Sequence, residues 1–577
     1  MSDGTRRLLA AAGMVLGSAA QIAFAQVDPA AISRQNDVLE RQQQELLRAD
    51  QERARRSAPA RPGTDLKDIQ PNVTVPALGV PCRDIRIIQI RGAVGLPAEL
   101  RDQVTRDFAG RCLGVRELEA VLALITKNYI DRGFITTRAY LPAQDLRTGN
   151  LEIAVIEGTI GEFKVNGTRP NAQWARGAFP AVPGERLNLR DLEQGIEQIN
   201  RLGSNRAVLD IQPGANAGES VVAVQNPSVL PVSLFSSFDN YGTDATGKRS
   251  ASATVSFDSL LGLNELLAIT HRESVPHDRD HNSAADAVQF SVPFGYSLLT
   301  LDTSRSAYAN RIALPSGSTI MSNGETTTRS GALERVVLRD QASRLSVFTR
   351  LSTQETESYL GGQYLGIASR KLAYADVGLS GFTAAAGGVA NARLAYVKGL
   401  SGFGALRDAQ DLPDDLPHAQ FRKLVLDIGY SRRFEVASRP VLVSTQFSGQ
   451  RAYDTLYGSQ QFLVGGVSSV RGSLLSTLSG DNGYLLRNEV SLPWQAGADA
   501  TGGASRVSGR VYLGYDFGAV TNRAPGALSG SMSGVTLGTT IAWKSASVDV
   551  FVARALHVPA PLVPDTTQYG LRLSFAL

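Results

Sequence analysis

From about residue 230 to its end, the chain repeats segments of roughly 10 to 15 residues in which apolar and polar side chains alternate. In the last of these segments, Leu571, Leu573 and Phe575 alternate with Arg572 and Ser574. Successive side chains of a strand point to opposite faces of the sheet, so one face is apolar and the other carries the charges. A period of two sustained over about 350 residues predicts a transmembrane β-barrel of the outer-membrane type.

The alternating region, residues 228–577, contains about 16 antiparallel candidate strands separated by turn residues. An even number of strands closes the sheet and leaves no edge unpaired in lipid. A soluble array of β-sandwiches is the alternative, but strand-by-strand alternation without Greek-key spacing argues against it. The candidate strands start near Val232, Ser250, Glu265, Ala285, Tyr296, Thr326, Arg344, Arg370, Val389, Phe421, Val441, Gly483, Val507, Val535, Ser547 and Gln568.

Residues 1–25 have the features of a secretory signal peptide, with Arg6 and Arg7 before an apolar run and a small-x-small cleavage site at residues 23–25. We therefore expect the mature chain to begin at Gln26, outside the cytoplasm. No later apolar run is long enough for a transmembrane helix. The net charge of +4 is small for 577 residues, and it gives little reason to expect nucleic acid as a partner.

Residues 26–56 contain a polar helix, because residues 30–56 are good helix formers without Pro or Gly. Apart from Ile32, Leu39 and Leu46, spaced seven residues apart, the side chains are almost all charged or Gln. A helix that is polar all round is either solvated, and then partly disordered, or placed in a watery cavity. The Pro-rich residues 57–80 predict a flexible or extended linker, which would tether this helix to the rest of the chain.

Two small α+β units follow, at residues 81–157 and 158–227. Each is predicted to run in the order strand, helix, helix, strand, strand, which makes them an internal repeat in architecture. The two cysteines, Cys82 and Cys112, both lie in the first unit. An exported chain meets an oxidising compartment, so we expect a disulfide; two reduced thiols are the alternative, and a metal pair lacks further ligands.

A long loop at about residues 455–482 is too rich in Gly and Ser to be a strand, and its central stretch 464–473 carries one charge, Arg471. The tripeptide Val-Arg-Gly at residues 470–472 recurs by chance in many proteins, so its weight depends on the rest of the chain.

Together these features resemble a family: the outer-membrane transporters of two-partner secretion, or TpsB proteins, which belong to the POTRA plus β-barrel superfamily. Signal peptide, polar helix, linker, two α+β units and sixteen-strand barrel match its organisation from about residue 27 to 577. The segments that resemble family motifs most closely are 126–146, 155–158, 187–194, 212–214, 291–296 and 470–472. The resemblance implies that the two α+β units are periplasmic POTRA domains 1 and 2.

The resemblance also implies a lumen lock, in which Arg471 lies at the tip of a loop folded back into the pore and pairs with the Asp of an Asp-x-Gly motif. Asp516 and Gly518 supply that motif, with Asp516 on the inward register. Gly472 permits a tight loop tip, and Arg can hold a carboxylate through two hydrogen bonds. A solvated Arg471 and an unrelated turn aspartate are the alternative.

Two positions depart from the family pattern. Ser473 stands where an aromatic residue commonly follows the Val-Arg-Gly, which concerns the packing of the loop tip. Leu577 replaces the usual aromatic last residue, although Phe575 lies two residues before it. The second departure, the terminal Leu577, would weaken recognition of the barrel by the assembly machinery.

The function that the resemblance implies is an outer-membrane pore that exports a large partner exoprotein, an adhesin, haemolysin or contact-dependent toxin, from the periplasm to the cell surface. Residues 30–56 would plug the pore at rest, and the POTRA domains would capture the unfolded N-terminal secretion domain of a TpsA-type partner. An exposed sheet edge can do so by taking an added strand. Outer-membrane lipids, periplasmic chaperones and the assembly machinery are the other expected partners.

Two other functions remain open from the sequence: an insertase of the BamA type, which more usually carries three or five POTRA domains, and a surface adhesin or enzyme anchored by its own barrel. The sequence has no Gly-x-Ser-x-Gly elbow, His-Glu-x-x-His motif or Walker loop. His271, His277 and His281 lie near Asp278 and Asp280, but a polar loop of this kind is more often simply solvated. We therefore expect neither an enzyme nor a metal or cofactor.

Overall fold

The computed structural model describes residues 29–54, 82–167, 177–227, 230–314, 317–496, 507–565 and 567–577. The predicted signal peptide and linker lie outside these residues. Within them, helices that combine the length and the apolar character needed to cross a membrane are absent.

The first α+β unit packs two helices against a three-stranded sheet of order β2-β5-β4, in which β2 and β5 are parallel. Ile85, Val104, Ile125 and Ile153 are fully or almost fully buried in its core. Its elements are β1 Arg83–Ile85, β2 Ile87–Arg91, α2 Ala98–Phe108, β3 Arg111–Leu113, α3 Val115–Asp131, β4 Arg138–Tyr140 and β5 Asn150–Ile156. Helix α1, Pro29–Ala54, precedes this unit in the chain and is described below.

The second unit has the same sheet arrangement, of order β6-β8-β7. Its elements are β6 Thr159–Gly167, α4 Leu189–Asn200, β7 Val208–Pro213 and β8 Glu219–Asn226. The first of the two helices predicted for this unit, at residues 174–179, lies half outside the described residues, and its residues 177–179 are not helical.

The rest of the chain forms a closed antiparallel barrel of sixteen long strands, which confirms the predicted fold. The strands predicted near Ala285, Thr326 and Val535 start earlier, at His281, Thr319 and Gly530. Their first residues are mostly small or polar, and the few apolar ones, such as Ile320 and Met321, stand next to each other or alone and do not continue the period of two. The barrel strands are β9 Val232–Asp239, β10 Ser250–Asp258, β11 Leu266–Ser274, β12 His281–Phe294, β13 Ser297–Ala313, β14 Thr319–Arg339, β15 Ser343–Leu360, β17 Arg370–Ala385, β18 Gly388–Leu400, β19 Arg422–Val436, β20 Arg439–Ala452, β23 Asn482–Ala496, β24 Val507–Thr521, β25 Gly530–Trp543, β26 Ala546–His557 and β27 Gln568–Ala576, with the two-residue strand β16 Gln363–Tyr364 pairing beside β15.

The alternation of side chains follows the two faces of the wall. On β24, Leu513 and Tyr515 are exposed on the outer face, whereas Tyr512 and Asp516 are buried on the inner face. Apolar residues thus meet lipid and polar residues line the lumen, as the period of two requires.

Helix α1 lies inside this barrel. Its side chains bond to residues of strands as far apart as β11, β14, β17 and β27. A helix that is polar all round therefore has polar neighbours on several sides, which explains how so hydrophilic a sequence is largely buried.

Candidate functional site in the barrel lumen

A reentrant loop, residues 453–481, joins β20 to β23 at the barrel end opposite the two α+β units and folds back into the lumen. Two short strands, β21 Phe462–Val464 and β22 Leu478–Gly480, pair within it. Val464, Val470 and Leu478 of the loop pack with Val520 and Met532 of the wall in a small apolar cluster. This cluster fixes the stem of the loop against β24 and β25.

The loop tip contacts the wall through Arg471 and Asp516. Nε and Nη2 of Arg471 donate to the two carboxylate oxygens of Asp516 at 2.7 and 2.9 Å, and the backbone N–H of Arg471 donates at 3.1 Å. Arg471 is 5% exposed and Asp516 is fully buried. The two residues that the sequence predicts as a pair therefore form a bidentate, buried, charge-assisted contact.

Several glycines allow the reentrant loop to lie close to the barrel wall. Gly472 adopts φ +94°, and a Cβ there would lie 2.4 Å from the backbone carbonyl carbon of Arg554. A Cβ on Gly518 would lie 2.7 Å from Val464, one on Gly514 2.3 Å from Nη2 of Arg471, and one on Gly534 2.0 Å from the carbonyl oxygen of Arg471. The loop can approach the wall this closely only because these positions lack side chains.

Further charges surround the pair and were not identified from the sequence. Nη1 of Arg471 lies 3.4 Å from Glu489, which also accepts from Arg510 at 2.6 Å. Nε of Arg487 lies 3.6 Å from Asp516. Arg487, Glu489 and Arg510 lie on the inward registers of β23 and β24. The same alternation that predicts an inward Asp516 therefore predicts inward positions for these three residues.

The residues after Arg471 are held by the segment that leads into β27. Gln568 accepts a hydrogen bond from the backbone N–H of Gly472 at 3.0 Å, and Asp565 accepts from the backbone N–H groups of Leu474 and Leu475. Ser473, the first departure from the family pattern, is fully buried, and its hydroxyl has no hydrogen-bond partner in the described part of the chain. The loop tip thus has no space for an aromatic side chain at this position.

The second departure, Leu577, lies at the seam between the first and last barrel strands. Its backbone N–H and carbonyl exchange hydrogen bonds with Leu234 at 2.8 and 3.0 Å, while its side chain is exposed.

Helix α1 bonds to the lumen wall along its length. Near its start, Asn36 accepts a hydrogen bond from Ser322 at 3.1 Å, Asp37 pairs with Arg370, and Glu40 accepts from Thr326 at 2.7 Å. Near its end, the fully buried Asp50 accepts from Arg272 and Arg572 of the wall.

The helix also touches the reentrant loop. Ser468 of the loop donates to Glu45 at 2.8 Å, and Leu46 of the helix and Val467 of the loop pack against the same buried cluster, which includes Tyr512 of the wall. Gly458 approaches Asp37 so closely that a Cβ would lie 2.4 Å from its carboxylate. Helix and loop therefore fill the lumen as neighbours.

The second α+β unit is attached to the barrel through α4. Arg339 donates to Glu197 at 2.6 Å, Arg344 pairs with the same carboxylate, and Tyr296 donates to Asp191. Burial raises the pKa of Asp191, whereas the hydrogen bond from Tyr296 lowers it. Several polar contacts thus place this unit at the mouth of the lumen.

The remaining predicted residues lie outside the lumen. Cys82 and Cys112 are joined by a disulfide, which links the start of the first unit to β3. His271 lies on the outer face of the barrel and contacts Asp286 at 2.7 Å. Among the described residues, groups of three or more side chains arranged to hold a metal ion are absent.

Comparison with known proteins places this geometry in a family. A model described as haemolysin secretion/activation protein ShlB/FhaC/HecB matches residues 218–541. A ShlB-type POTRA domain model matches residues 84–158, and a further POTRA model matches residues 159–213. The α+β units are therefore POTRA domains, as predicted.

Similar individual proteins carry transporter names. The outer membrane transporter CdiB of Dickeya dadantii is 31% identical over 87% of this chain and 88% of its own length. The hemolysin transporter protein ShlB of Serratia marcescens is 27% identical over 94% and 91%. The solved structure of CdiB from Escherichia coli has a TM-score of 0.83 at 31% identity and covers 96% of this chain and 100% of that one.

One family model spans more than half of the chain and both POTRA domains precede it, so this outer-membrane barrel with its internal helix and reentrant loop belongs to the ShlB/FhaC/HecB family of haemolysin secretion/activation proteins.

Proposed function

We propose that this chain exports one large partner exoprotein, in an unfolded state, from the periplasm to the cell surface. The observation that carries the proposal is the filling of the lumen: α1 and the reentrant loop occupy it, and both contact the wall largely through polar and ionic groups. Such contacts can be replaced by water when a filling element leaves, so the lumen is suited to opening. The transporter names of the relatives agree with this role.

The pair of Arg471 and Asp516 acts as the lumen lock that holds the reentrant loop in position. The bidentate contact fixes the direction of the loop tip, Gly472 allows its turn, and Gly518 allows the stem to lie against the wall. The lock keeps the loop in one place while the space beside it is used for transport.

Helix α1, within the predicted plug segment 26–56, closes the pore at rest and leaves it during export. Support comes from the buried polar residues of the helix, among them Asn36, Glu40 and Asp50, which face the wall and not an apolar core. Their departure exposes groups that water solvates well.

The POTRA domains capture the N-terminal secretion domain of the exoprotein. Each three-stranded sheet has strands at its edges, β2 and β4 in the first and β6 and β7 in the second. Ile87 of β2 and Val208 of β7 are exposed apolar residues at these edges. An extended segment could add there by backbone pairing, with side-chain pockets giving selectivity.

The chain works without catalysis of its own, and folding of the exoprotein outside the cell drives its export. Outer-membrane lipids surround the barrel, and periplasmic chaperones together with the barrel assembly machinery bring it there. The competing function is that of a BamA-type insertase. Such an insertase assembles other barrel proteins in the outer membrane, whereas the proposed transporter exports one protein to the cell surface.

Co-expression in a Gram-negative host tests the proposal. This chain is produced with the large exoprotein encoded beside it, and the medium and cell surface are assayed for that protein. Appearance outside only when this chain is present is the expected result. Retention in the periplasm, with altered abundance of other outer-membrane barrels, would instead favour the insertase.

A further inference from the structure

Four ionised side chains form a closed cluster inside the barrel: Asp50 of α1, Asp239 of β9, Arg272 of β11 and Arg572 of β27. Asp50 accepts from Arg272 at 2.7 Å and from Arg572 at 3.0 Å. Asp239 accepts from the same two guanidiniums at 2.9 and 2.6 Å. Each of the four is at most 5% exposed, so the cluster pairs two positive with two negative charges away from solvent. Arg53 of α1, which is partly exposed, also donates to Asp50 at 3.3 Å.

The cluster stands at the seam where the barrel closes. Strands β27 and β9 pair over five residues, from Arg572 opposite Asp239 to Ala576 opposite Phe235. The adjacent ladders β9–β10 and β26–β27 each pair eight residues, and β23–β24 pairs fifteen. Among the ladders that join the sixteen long strands in the described structure, the seam is the shortest.

The side chains near the seam add to this short ladder. Beyond the last residue pair, the side chain of Asn240 donates to the carbonyl of Tyr569 and accepts from the N–H of Leu571, each at 2.8 Å. In addition, the ion pair between Arg572 of β27 and Asp239 of β9 joins the two strands of the seam directly. Backbone hydrogen bonds extend the ladder at both ends, between Asn240 and Leu571 and between Leu234 and Leu577. The side chains thus supplement a ladder that is still short.

Asp50 is the one member of the cluster that does not belong to the barrel wall. Its carboxylate bonds to the last strand through Arg572 and to the third strand through Arg272, and so bridges the seam from inside. Without Asp50, two guanidiniums share the single carboxylate of Asp239. Their charges repel each other in a partly desolvated site, and one of them lies on each side of the seam.

We propose that α1 clamps the barrel seam through Asp50, in addition to filling the pore. While the helix is in the lumen, its carboxylate ties β27 to β11 across β9 and β10. When the helix leaves, the seam between β9 and β27 loosens, so the open transporter has a more deformable wall than the resting one. The departure of the helix rests on the proposed function; the clamp in the resting state does not.

Hydrogen exchange of the full-length protein in lipid nanodiscs tests the clamp. In Asp50→Asn, which keeps the shape but removes the charge, we expect amides in 232–240 and 568–577 to exchange about tenfold faster or more, since one neutral amide oxygen replaces the two charged oxygens that bond to Arg272 and Arg572. Peptides from β18 and β19 serve as the internal reference. Glu52→Gln is the matched control, because it makes the same charge change at an exposed position of the same helix.

Asp50→Glu separates charge from shape. It restores the carboxylate on a longer side chain, so seam exchange should return to within about threefold of wild type if ionic bridging is what matters. Seam exchange as fast in Asp50→Glu as in Asp50→Asn would overturn the clamp and leave packing as the cause.

Single-channel conductance of the same variants reports on the plug independently. If Asp50→Asn raises conductance but leaves seam exchange unchanged, the helix is a plug without a clamp and the inference is wrong. If seam exchange rises while conductance stays at the wild-type level, even after deletion of residues 30–56, the clamp stands and the plugging role fails.

Discussion

Truncation of the lock arginine, Arg471→Ala, tests how strongly the loop tip is held. The change removes two charge-assisted hydrogen bonds to Asp516 and the 3.4 Å contact to Glu489, but keeps the backbone N–H bond to Asp516. Both carboxylates retain a cation, Arg487 for Asp516 and Arg510 for Glu489. Breaking a buried ion pair costs about 3 to 5 kcal/mol when the remaining charge is uncompensated, so we expect a loss near the lower limit, about 3 kcal/mol.

That loss corresponds to an increase of about a hundredfold in the released population of the loop. A cysteine placed at Val464, which is fully buried in the loop stem, can measure this population by its rate of labelling with a membrane-impermeant maleimide on intact cells. Labelling should accelerate by about the same factor in Arg471→Ala, and secretion should fall by at least about tenfold.

Arg510→Ala is the control for this experiment. It removes a cation from the same Glu489, but the Arg510 side chain is 41% exposed and does not touch Asp516. Exposed pairs contribute about 1 kcal/mol or less, so labelling should change by less than about fivefold. Equal acceleration in the two variants, or none in Arg471→Ala, would refute the view that the bidentate contact holds the loop.

Three further predictions concern the plug, the loop stem and the disulfide. Deleting residues 30–56 should raise the conductance of the purified protein in planar bilayers several-fold, because α1 occupies the lumen; an unchanged conductance would contradict plugging. Gly518→Val should reduce loop protection and secretion, because a Cβ there would lie 2.7 Å from Val464, whereas Gly402→Ala, at a position with open space, should change neither. Cys82→Ser should destabilise the first POTRA domain by about 3 kcal/mol, as expected for a bond between cysteines 30 residues apart, and protease sensitivity of residues 83–157 measures it.

The parts of the molecule that the sequence could predict are those governed by local periodicity or by a fixed motif. The alternation on β24 places Asp516 inward and Tyr515 outward with no knowledge of neighbouring strands, because a strand has only two faces. The sixteen-strand count follows from repeated turns and alternation. Where the alternation is interrupted, as by the adjacent Ile320 and Met321 and the polar run that follows them in β14, the sequence predicts a strand start seven residues late, at Thr326 in place of Thr319.

The contacts between elements distant in the chain could not be predicted in the same way. Asp50 and Arg572 are 522 residues apart, and nothing in either segment specifies the other. The polarity of α1 indicates that it needs a polar environment but leaves open whether the helix is solvated or lies in a watery cavity. Only the closure of the barrel, which sets which inward residues face the helix, decides between them.

The use of charge in this lumen suits the proposed cycle, in which α1 leaves the pore during export. An element that must enter and leave a pore exposes its contact surface, and the matching surface of the wall, each time it departs. If α1 were held by apolar side chains, its departure would leave an apolar wall that binds any unfolded chain in transit. In the proposed cycle Asp239, Arg272 and Arg572 become hydrated instead, and a hydrated wall offers a passing chain few adhesive contacts. Burial of ion pairs is a weak way to gain stability, but it gives contacts that are specific when closed and are replaced by water when open.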